Sequence, residues 1–120
     1  MSKEVSWHVE LTLKSGQIES FQALTGEMVE AARSDSGVLS YQRFVSNDGT
    51  LIHVYERYAD SAAALTHPRN FAKNFSSRYL TMVERRRFLV FGRPNDELRR
   101  LLNEFGAIYL RPFGDFAYWA

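Results

Sequence analysis

Histidines are the side chains best suited to acid–base chemistry near neutral pH, and this sequence contains three of them, His8, His53 and His67. No two of them have the short spacing typical of metal ligands, so the sequence indicates no metal site. The chain also lacks cysteine, which excludes thiolate nucleophiles, disulfides and cysteine-ligated metals. His67 immediately precedes Pro68, at the expected end of a helical segment, where an imidazole can project toward a sheet. His67 is therefore the favoured general base.

Aromatic side chains make up 14% of the 120 residues, which is high for a small domain whose core could be aliphatic. This abundance indicates either a ligand pocket or an apolar interface. No more than about half of the members of one aromatic set are expected to touch a ligand between the sheet and its helices, and the others to be core. The members of the set are Trp7, Tyr41, Tyr55, Tyr58, Phe71 and Phe75.

The basic residues form one dense run, Arg85, Arg86 and Arg87, in a chain whose net charge is only +1. In a strand, Arg85 and Arg87 would face one side and Arg86 the other, which divides the charge between two surfaces. No aromatic pattern of the RNA-recognition type accompanies the run, and the apolar stretches are too short to cross a bilayer. We therefore expect no nucleic-acid or membrane partner. Nothing at the start of the sequence resembles a signal peptide, which favours the cytoplasm.

Hydrophobic periodicity and turn residues predict the elements that position these side chains. Alternation of apolar and polar residues predicts strands, and apolar spacings of three and four predict helices. Asp48-Gly49 predicts a hairpin turn, Asp60 a helix N-cap, and Pro68 a break in the second helix. In chain order these are strand 7–13, helix 17–34, strands 38–45 and 51–58, helix 61–67 continued at 69–81, strand 85–91, helix 95–105 and a strand-like segment 107–119.

This order predicts an α+β fold of the ferredoxin-like β-α-β-β-α-β type, with both helices on one face of an antiparallel sheet. One domain is expected, with its core at 1–92 and a C-terminal α-β extension at 93–120. The third strand carries Ile52 and Val54 on one face and His53 and Tyr55 on the other, so neither face suits water. We therefore expect a homodimer whose sheets pack face to face as an α/β barrel.

The aromatic C-terminal segment is expected to pack on its own subunit or on the partner rather than extend into solvent. Its large side chains are Phe113, Phe116, Tyr118 and Trp119.

A known family resembles part of this sequence. The run Tyr55-Glu56-Arg57-Tyr58-Ala59-Asp60, followed by Ala63, Leu65, His67, Phe71 and Phe75, resembles the strand-to-helix signature of the antibiotic biosynthesis monooxygenase domain. Gly37-Val38-Leu39-Ser40-Tyr41 resembles the start of that family's second strand. The resemblance covers about the first ninety residues and implies the dimeric α/β-barrel superfamily, with residues 92–116 as an extension.

The better-understood members of the family oxygenate phenols or hydroquinones with dioxygen and need no metal or flavin. The resemblance therefore implies a cofactor-independent monooxygenase acting on a small aromatic molecule, with no cofactor and no metal. His67 would be its base, and Arg43 or a tyrosine hydroxyl, such as that of Tyr55, its oxyanion donor. Trp7, Tyr41, His53, Tyr58, Phe71 and Phe75 would bind the substrate.

Each of these roles has a structural alternative. His67 could cap or pack the broken helix, and His53 could lie at an interface, as His8 is expected to do. Glu56 is expected to pair with Arg43 or Arg87 at the dimer seam. Haem-degrading relatives suggest haem on His67, but their first-strand Asn and second-helix Trp have no counterpart here. The alternative function is a non-catalytic dimeric barrel that binds a small hydrophobic ligand or serves as a stress-related accessory protein.

Overall fold

A computed structural model of the chain describes residues 3–114 and residue 116. Tyr118 and Trp119 lie outside the described residues, whereas Phe113 is 90% and Phe116 77% exposed. The elements in chain order are β1 Val5–Leu13, α1 Ile18–Arg33, β2 Val38–Val45, β3 Leu51–Tyr58, α2 Ser61–Asn74, α3 Ser76–Met82, β4 Val83–Gly92, α4 Asp96–Asn103 and β5 Ile108–Leu110.

The sheet has the strand order β2-β3-β1-β4-β5 and confirms the ferredoxin-like α+β prediction. Strands β1 to β4 pair antiparallel, and β5 pairs in parallel with β4 at one edge of the sheet. The C-terminal segment therefore extends the same sheet, and α4 buries Leu98 and Leu102 in the common core.

The two faces of the sheet differ in what covers them. On the inner face, Trp7 and Val9 of β1 pack with Val54 of β3 against buried helix residues such as Phe21 and Leu24. The outer face carries the alternate residues of each strand. On β1 these residues are partly exposed, whereas the inner-face residues are buried. Large apolar side chains remain exposed on it, namely Phe44, Tyr55, Ile108 and Leu110.

Local signals in the sequence are realised at the turns and caps. The Asp60 carboxylate accepts a hydrogen bond from the Ala63 amide at 2.9 Å and begins α2. Gly49 has a φ of +75° in the hairpin between β2 and β3, which is the conformation that the Asp-Gly step predicts.

The second helix is interrupted, but not where the sequence predicts. The prediction of a break at Pro68 is wrong, because α2 continues through Pro68 to Asn74. Proline removes only the single amide that would bond the preceding turn, and the rest of the helix retains its donors. The interruption lies at Phe75, whose φ of −128° departs from helical geometry, and α3 begins at the next residue.

A β-bulge alters the face assignment of the arginine run. On β4, Arg87 lies opposite Glu10, whereas Arg85 lies opposite Leu11, so the register shifts by one residue between them. Arg85 consequently shares the inner face with Leu11, and Arg87 shares the outer face with Glu10. The prediction that Arg85 and Arg87 face the same side is therefore wrong, since it assumed a regular strand.

Candidate active site

A small pocket lies between the inner face of the sheet and helices α2 and α4, with a volume of about 80 Å³. Its charged and polar lining consists of a cluster of Arg43, Glu56 and His67, together with Arg85. Its apolar part is mostly aromatic and includes Trp7, Phe71, Phe88, Leu102 and Phe105. The residues come from strands β1 to β4, from α2 and α3, and from α4 and the residues just after it, so most of the fold contributes to this pocket.

Glu56 is the centre of the polar cluster. Its carboxylate is 6% exposed and accepts a hydrogen bond from the Trp7 indole at 2.9 Å and from the Arg43 guanidinium at 2.6 Å. The hydroxyl of Tyr58 donates a third, short hydrogen bond to it. A buried carboxylate is costly unless it is paired and hydrogen-bonded, and here several donors meet that requirement.

The electrostatics keep this cluster charged. Burial by itself would raise the pKa of Glu56, but the charges of Arg43 and His67 and the Tyr58 hydrogen bond outweigh it and lower that pKa. For Arg43, burial favours the neutral form, but Glu56 outweighs it and the pKa is raised. Glu56 and Arg43 are therefore an ion pair at neutral pH.

The neighbouring phenols behave as neutral donors. Burial is the main cause of a raised pKa at Tyr41, at Tyr58 and at Tyr79, whose pKa it raises to about 12. The Glu56 carboxylate raises the pKa of Tyr58 further. These hydroxyls can donate hydrogen bonds at neutral pH but do not serve as phenolate bases.

His67 lies between two carboxylates. It is 7% exposed, its Nδ1 is 3.5 Å from Asp35 Oδ2, and its Nε2 is 3.9 Å from Glu56 Oε1. The ring of Tyr41 meets the imidazole edge to face at 5.0 Å, and Nδ1 has no hydrogen-bond partner among the described residues. The imidazole is therefore flanked by an acidic side chain on each side.

Arg43 retains unused hydrogen-bonding capacity. Its guanidinium carbon lies 3.4 Å from the centroid of the Tyr41 ring, which fixes the plane of the group. One nitrogen, Nη2, bonds Glu56, while Nε and Nη1 are buried without a partner in the described part of the chain. Buried donors of this kind normally bind something, which here can be a ligand oxygen in the pocket that Arg43 lines.

The predicted site residues separate into three groups. His67, Arg43, Trp7 and Phe71 line the pocket. Tyr41 and Tyr58 lie behind it, in ring contact with His67, and Phe75 packs on Phe71 at 6.4 Å without lining the pocket. The third group, Tyr55 and His53, lies on the outer face of the sheet, on the opposite side from the pocket.

On that outer face, Tyr55 and His53 form a cluster with His8. The His8 ring stacks on Tyr55 with centroids 4.5 Å apart, and its Nε2 lies 2.8 Å from His53 Nδ1. Burial and then the neighbouring His53 lower the pKa of His8, despite the opposing effect of Glu10. The geometry fits the interface alternative for both histidines rather than a role in the pocket.

Sequence reasoning underestimated several residues. Glu56 pairs with Arg43, one of its two expected partners, on the inner face of the sheet. Its alternation with the apolar Val54 and Tyr58 was the available signal. Three further residues, Arg85, Leu102 and Phe105, also line the pocket. No local sequence pattern predicts them, because a β-bulge and contacts between distant segments place them there.

Within residues 3–114 and 116, no group of three or more His, Cys, Asp or Glu side chains is arranged to hold a metal ion. The same described residues include no helix with the length and apolar character needed to cross a bilayer.

The fold and the buried polar cluster define a ferredoxin-like α+β protein with a candidate site beneath its helices. A sequence model of the antibiotic biosynthesis monooxygenase family matches residues 5–70, which is more than half of the chain. The chain belongs to this family. A search of curated proteins gave no significant match.

Solved structures show the same fold at low sequence identity. MupZ from Pseudomonas fluorescens is 22% identical with a TM-score of 0.89, and the match covers 98% of this chain and 91% of that one. PA3566 from Pseudomonas aeruginosa is 22% identical with a TM-score of 0.62, over 75% of this chain and 91% of that one. A candidate antibiotic biosynthesis monooxygenase from Bacteroides thetaiotaomicron is 23% identical with a TM-score of 0.61, over 68% and 81%. The fold shared with MupZ therefore includes most of the C-terminal segment.

Proposed function

We propose that this protein is a monooxygenase that oxidises a small phenol or hydroquinone with dioxygen in the pocket beneath α2 and α4. The observation that carries the proposal is the Glu56–Arg43–His67 cluster in a pocket whose other lining residues are mostly aromatic or aliphatic. Family membership supports oxygenase chemistry in general, and the pocket supports the choice of substrate.

In this proposal, His67 accepts the proton of the substrate hydroxyl. The resulting phenolate is electron-rich enough to reduce dioxygen, and the free Nε and Nη1 of Arg43 donate hydrogen bonds to its oxygen. One oxygen atom enters the ring and the other leaves as water, so a phenol gives a quinone and a hydroquinone gives a hydroxyquinone. The substrate supplies all the electrons, and the aromatic walls exclude water from the reactive intermediates.

The size of the pocket limits the substrate. Pockets for drug-sized ligands measure roughly 300–1,000 Å³, whereas this one measures about 80 Å³. A single aromatic ring is therefore favoured over a fused polycyclic molecule.

The test is dioxygen uptake by the purified protein with a panel of simple hydroquinones. His67→Ala is expected to reduce uptake to the rate in buffer, because it removes the base. Thr66→Ala, at the exposed adjacent position of α2, is the matched control and should retain the wild-type rate. The thermal unfolding of His67→Gln is measured in parallel, to distinguish loss of the base from loss of the fold. Uptake by a folded His67→Ala protein at the wild-type rate would remove His67 from the mechanism, and binding without uptake would favour the ligand-binding alternative.

We also propose that two copies pair through the outer face. The support is the set of exposed apolar side chains there, including Phe44 at 52%, Ile108 at 51% and Tyr55 at 43% exposure. Light scattering at micromolar concentration should give twice the 13.9 kDa mass of the chain, and Phe44→Glu should shift the measured mass toward that of the monomer. A monomeric wild-type protein would contradict the pairing. The expected cytoplasmic location stays a prediction.

A further inference from the structure

Arg85 is a pocket residue that the proposed reaction does not use. The β-bulge on β4 brings it to the inner face opposite Leu11, where it lines the pocket with Phe105. Its guanidinium carbon lies 4.9 Å from the centroid of the Phe105 ring, and this stacking restricts where the charge can point. No carboxylate among the described residues lies within ion-pair distance of it.

The charges that line the pocket leave one positive charge unbalanced. Glu56 and Arg43 neutralise each other through their 2.6 Å contact. Arg85 adds a further positive charge to a cavity whose other walls are mostly apolar. A ligand that brings one negative charge would therefore be favoured over a neutral one of the same shape.

The register separates Arg85 from the polar cluster. Glu56 lies opposite Trp7, whereas Arg85 lies opposite Leu11, four residues further along β1. Four residues of strand span about 13 Å, and the long side chains at both positions line the same pocket. A single ring between them can contact both, with Phe88 and Leu102 as its apolar walls.

We propose that the pocket selects aromatic substrates that carry a carboxylate, with Arg85 binding the carboxylate while the ring hydroxyl reaches His67 and Arg43. This inference rests on the proposed function, since it names the substrate class of the same site. A guanidinium suits the role because it donates two parallel hydrogen bonds to a carboxylate. Arg85 would be a specificity-determining residue and not part of the oxidation itself.

The experiment measures binding without turnover. Under anaerobic conditions, the dissociation constants of 2,5-dihydroxybenzoate and hydroquinone are compared by calorimetry for wild type and variants. Wild type should bind the carboxylated ligand about fivefold more tightly, as expected for a partly exposed charge pair. Arg85→Gln should abolish this ratio, and Arg85→Lys should retain part of it. Arg86→Gln, at the exposed neighbouring position, should leave the ratio unchanged.

Three results would overturn the inference: wild type binds neither ligand, wild type binds both equally, or Arg85→Gln keeps the wild-type ratio. Added salt gives a further readout, because the preference should shrink as ionic strength rises in wild type but not in Arg85→Gln. Preference for the carboxylate without dioxygen uptake in air would support the substrate class while contradicting the oxidation. The two proposals therefore fail separately.

Discussion

Replacing Glu56 by Gln tests the reasoning behind the polar cluster. In the wild type, Oε1 accepts hydrogen bonds from Trp7 and Tyr58, and Oε2 accepts one from Arg43. An amide has a single acceptor oxygen, so in either orientation of the new side chain at least one buried donor loses its partner. The Arg43 charge also loses its counter-charge within the core.

The expected loss of stability is large. Removing one partner of a buried ion pair costs about 3–5 kcal/mol. Because Gln retains one acceptor oxygen, the loss of stability in Glu56→Gln should lie near about 3 kcal/mol. Since the free energy of unfolding of a domain is only about 5–15 kcal/mol, this loss is a substantial fraction of the total. At about 4 °C per kcal/mol for a domain of this size, the melting temperature should fall by about 12 °C.

The assay is urea and thermal unfolding followed by circular dichroism, with Arg78→Gln as the control. Arg78 forms an ion pair with Glu27 at 2.9 Å, but both side chains are about half exposed, so the control should melt close to wild type. A double variant, Arg43→Met with Glu56→Leu, should recover part of the loss because no unpaired charge remains.

Acid unfolding gives an independent readout of the same group. Because the folded-state pKa of Glu56 lies below the ordinary value of 4.5, its contribution to stability is complete above that pH. It is lost as the pH falls toward the lower folded-state pKa. The stability of Glu56→Gln should therefore depend less on pH in acid than that of wild type. A Glu56→Gln variant that melts within about 4 °C of wild type, roughly 1 kcal/mol by the same conversion, would show that Glu56 is not the counter-charge that stabilises this cluster.

Further predictions concern the backbone, the core and the outer face. Gly37→Ala should lose more than about 1 kcal/mol in urea unfolding, because Gly37 has a φ of +85° and a new Cβ would lie 2.6 Å from Ala63 Cβ; wild-type stability would contradict this. Leu102→Ala should cost about 2–5 kcal/mol, since Leu102 is 1% exposed, and unchanged stability would show that α4 is not part of the core. The pKa of His8 is lowered by burial and by His53, so wild-type stability should decline as pH falls below 6.5 while His8→Gln declines less. An equal change in melting temperature between pH 7.5 and pH 5.5 for wild type and His8→Gln would contradict that assignment.

Local sequence signals predicted most of the fold. The strands at 38–45 and 51–58 have the expected bounds, because each is a run rich in β-branched and aromatic residues that is closed by turn residues. Two features were wrong for the same reason, since local rules assume regular elements. Pro68 is accommodated within α2, and the bulge on β4 reverses the face of Arg85 relative to Arg87.

The candidate site was predictable in part. His67, Arg43 and Trp7 were identified from residue type, position and family resemblance, and all three line the pocket. Alternation placed Tyr55 and His53 on one face of β3, but alternation cannot say which face the helices cover. That choice depends on contacts between distant segments. Phe105 could not be predicted as a pocket residue for the same reason, because it joins the pocket through the packing of the C-terminal segment.

Labelling with ¹⁸O₂ tests whether the protein inserts an oxygen atom from dioxygen into its substrate. Wild-type protein is incubated with a hydroquinone under ¹⁸O₂ in ordinary water, and the product is weighed by mass spectrometry, with His67→Ala treated in parallel. Each product molecule from wild type should carry one labelled oxygen, and the variant should form labelled product only at the rate in buffer. Product oxygen derived from water, or equal labelling with and without the imidazole, would contradict it.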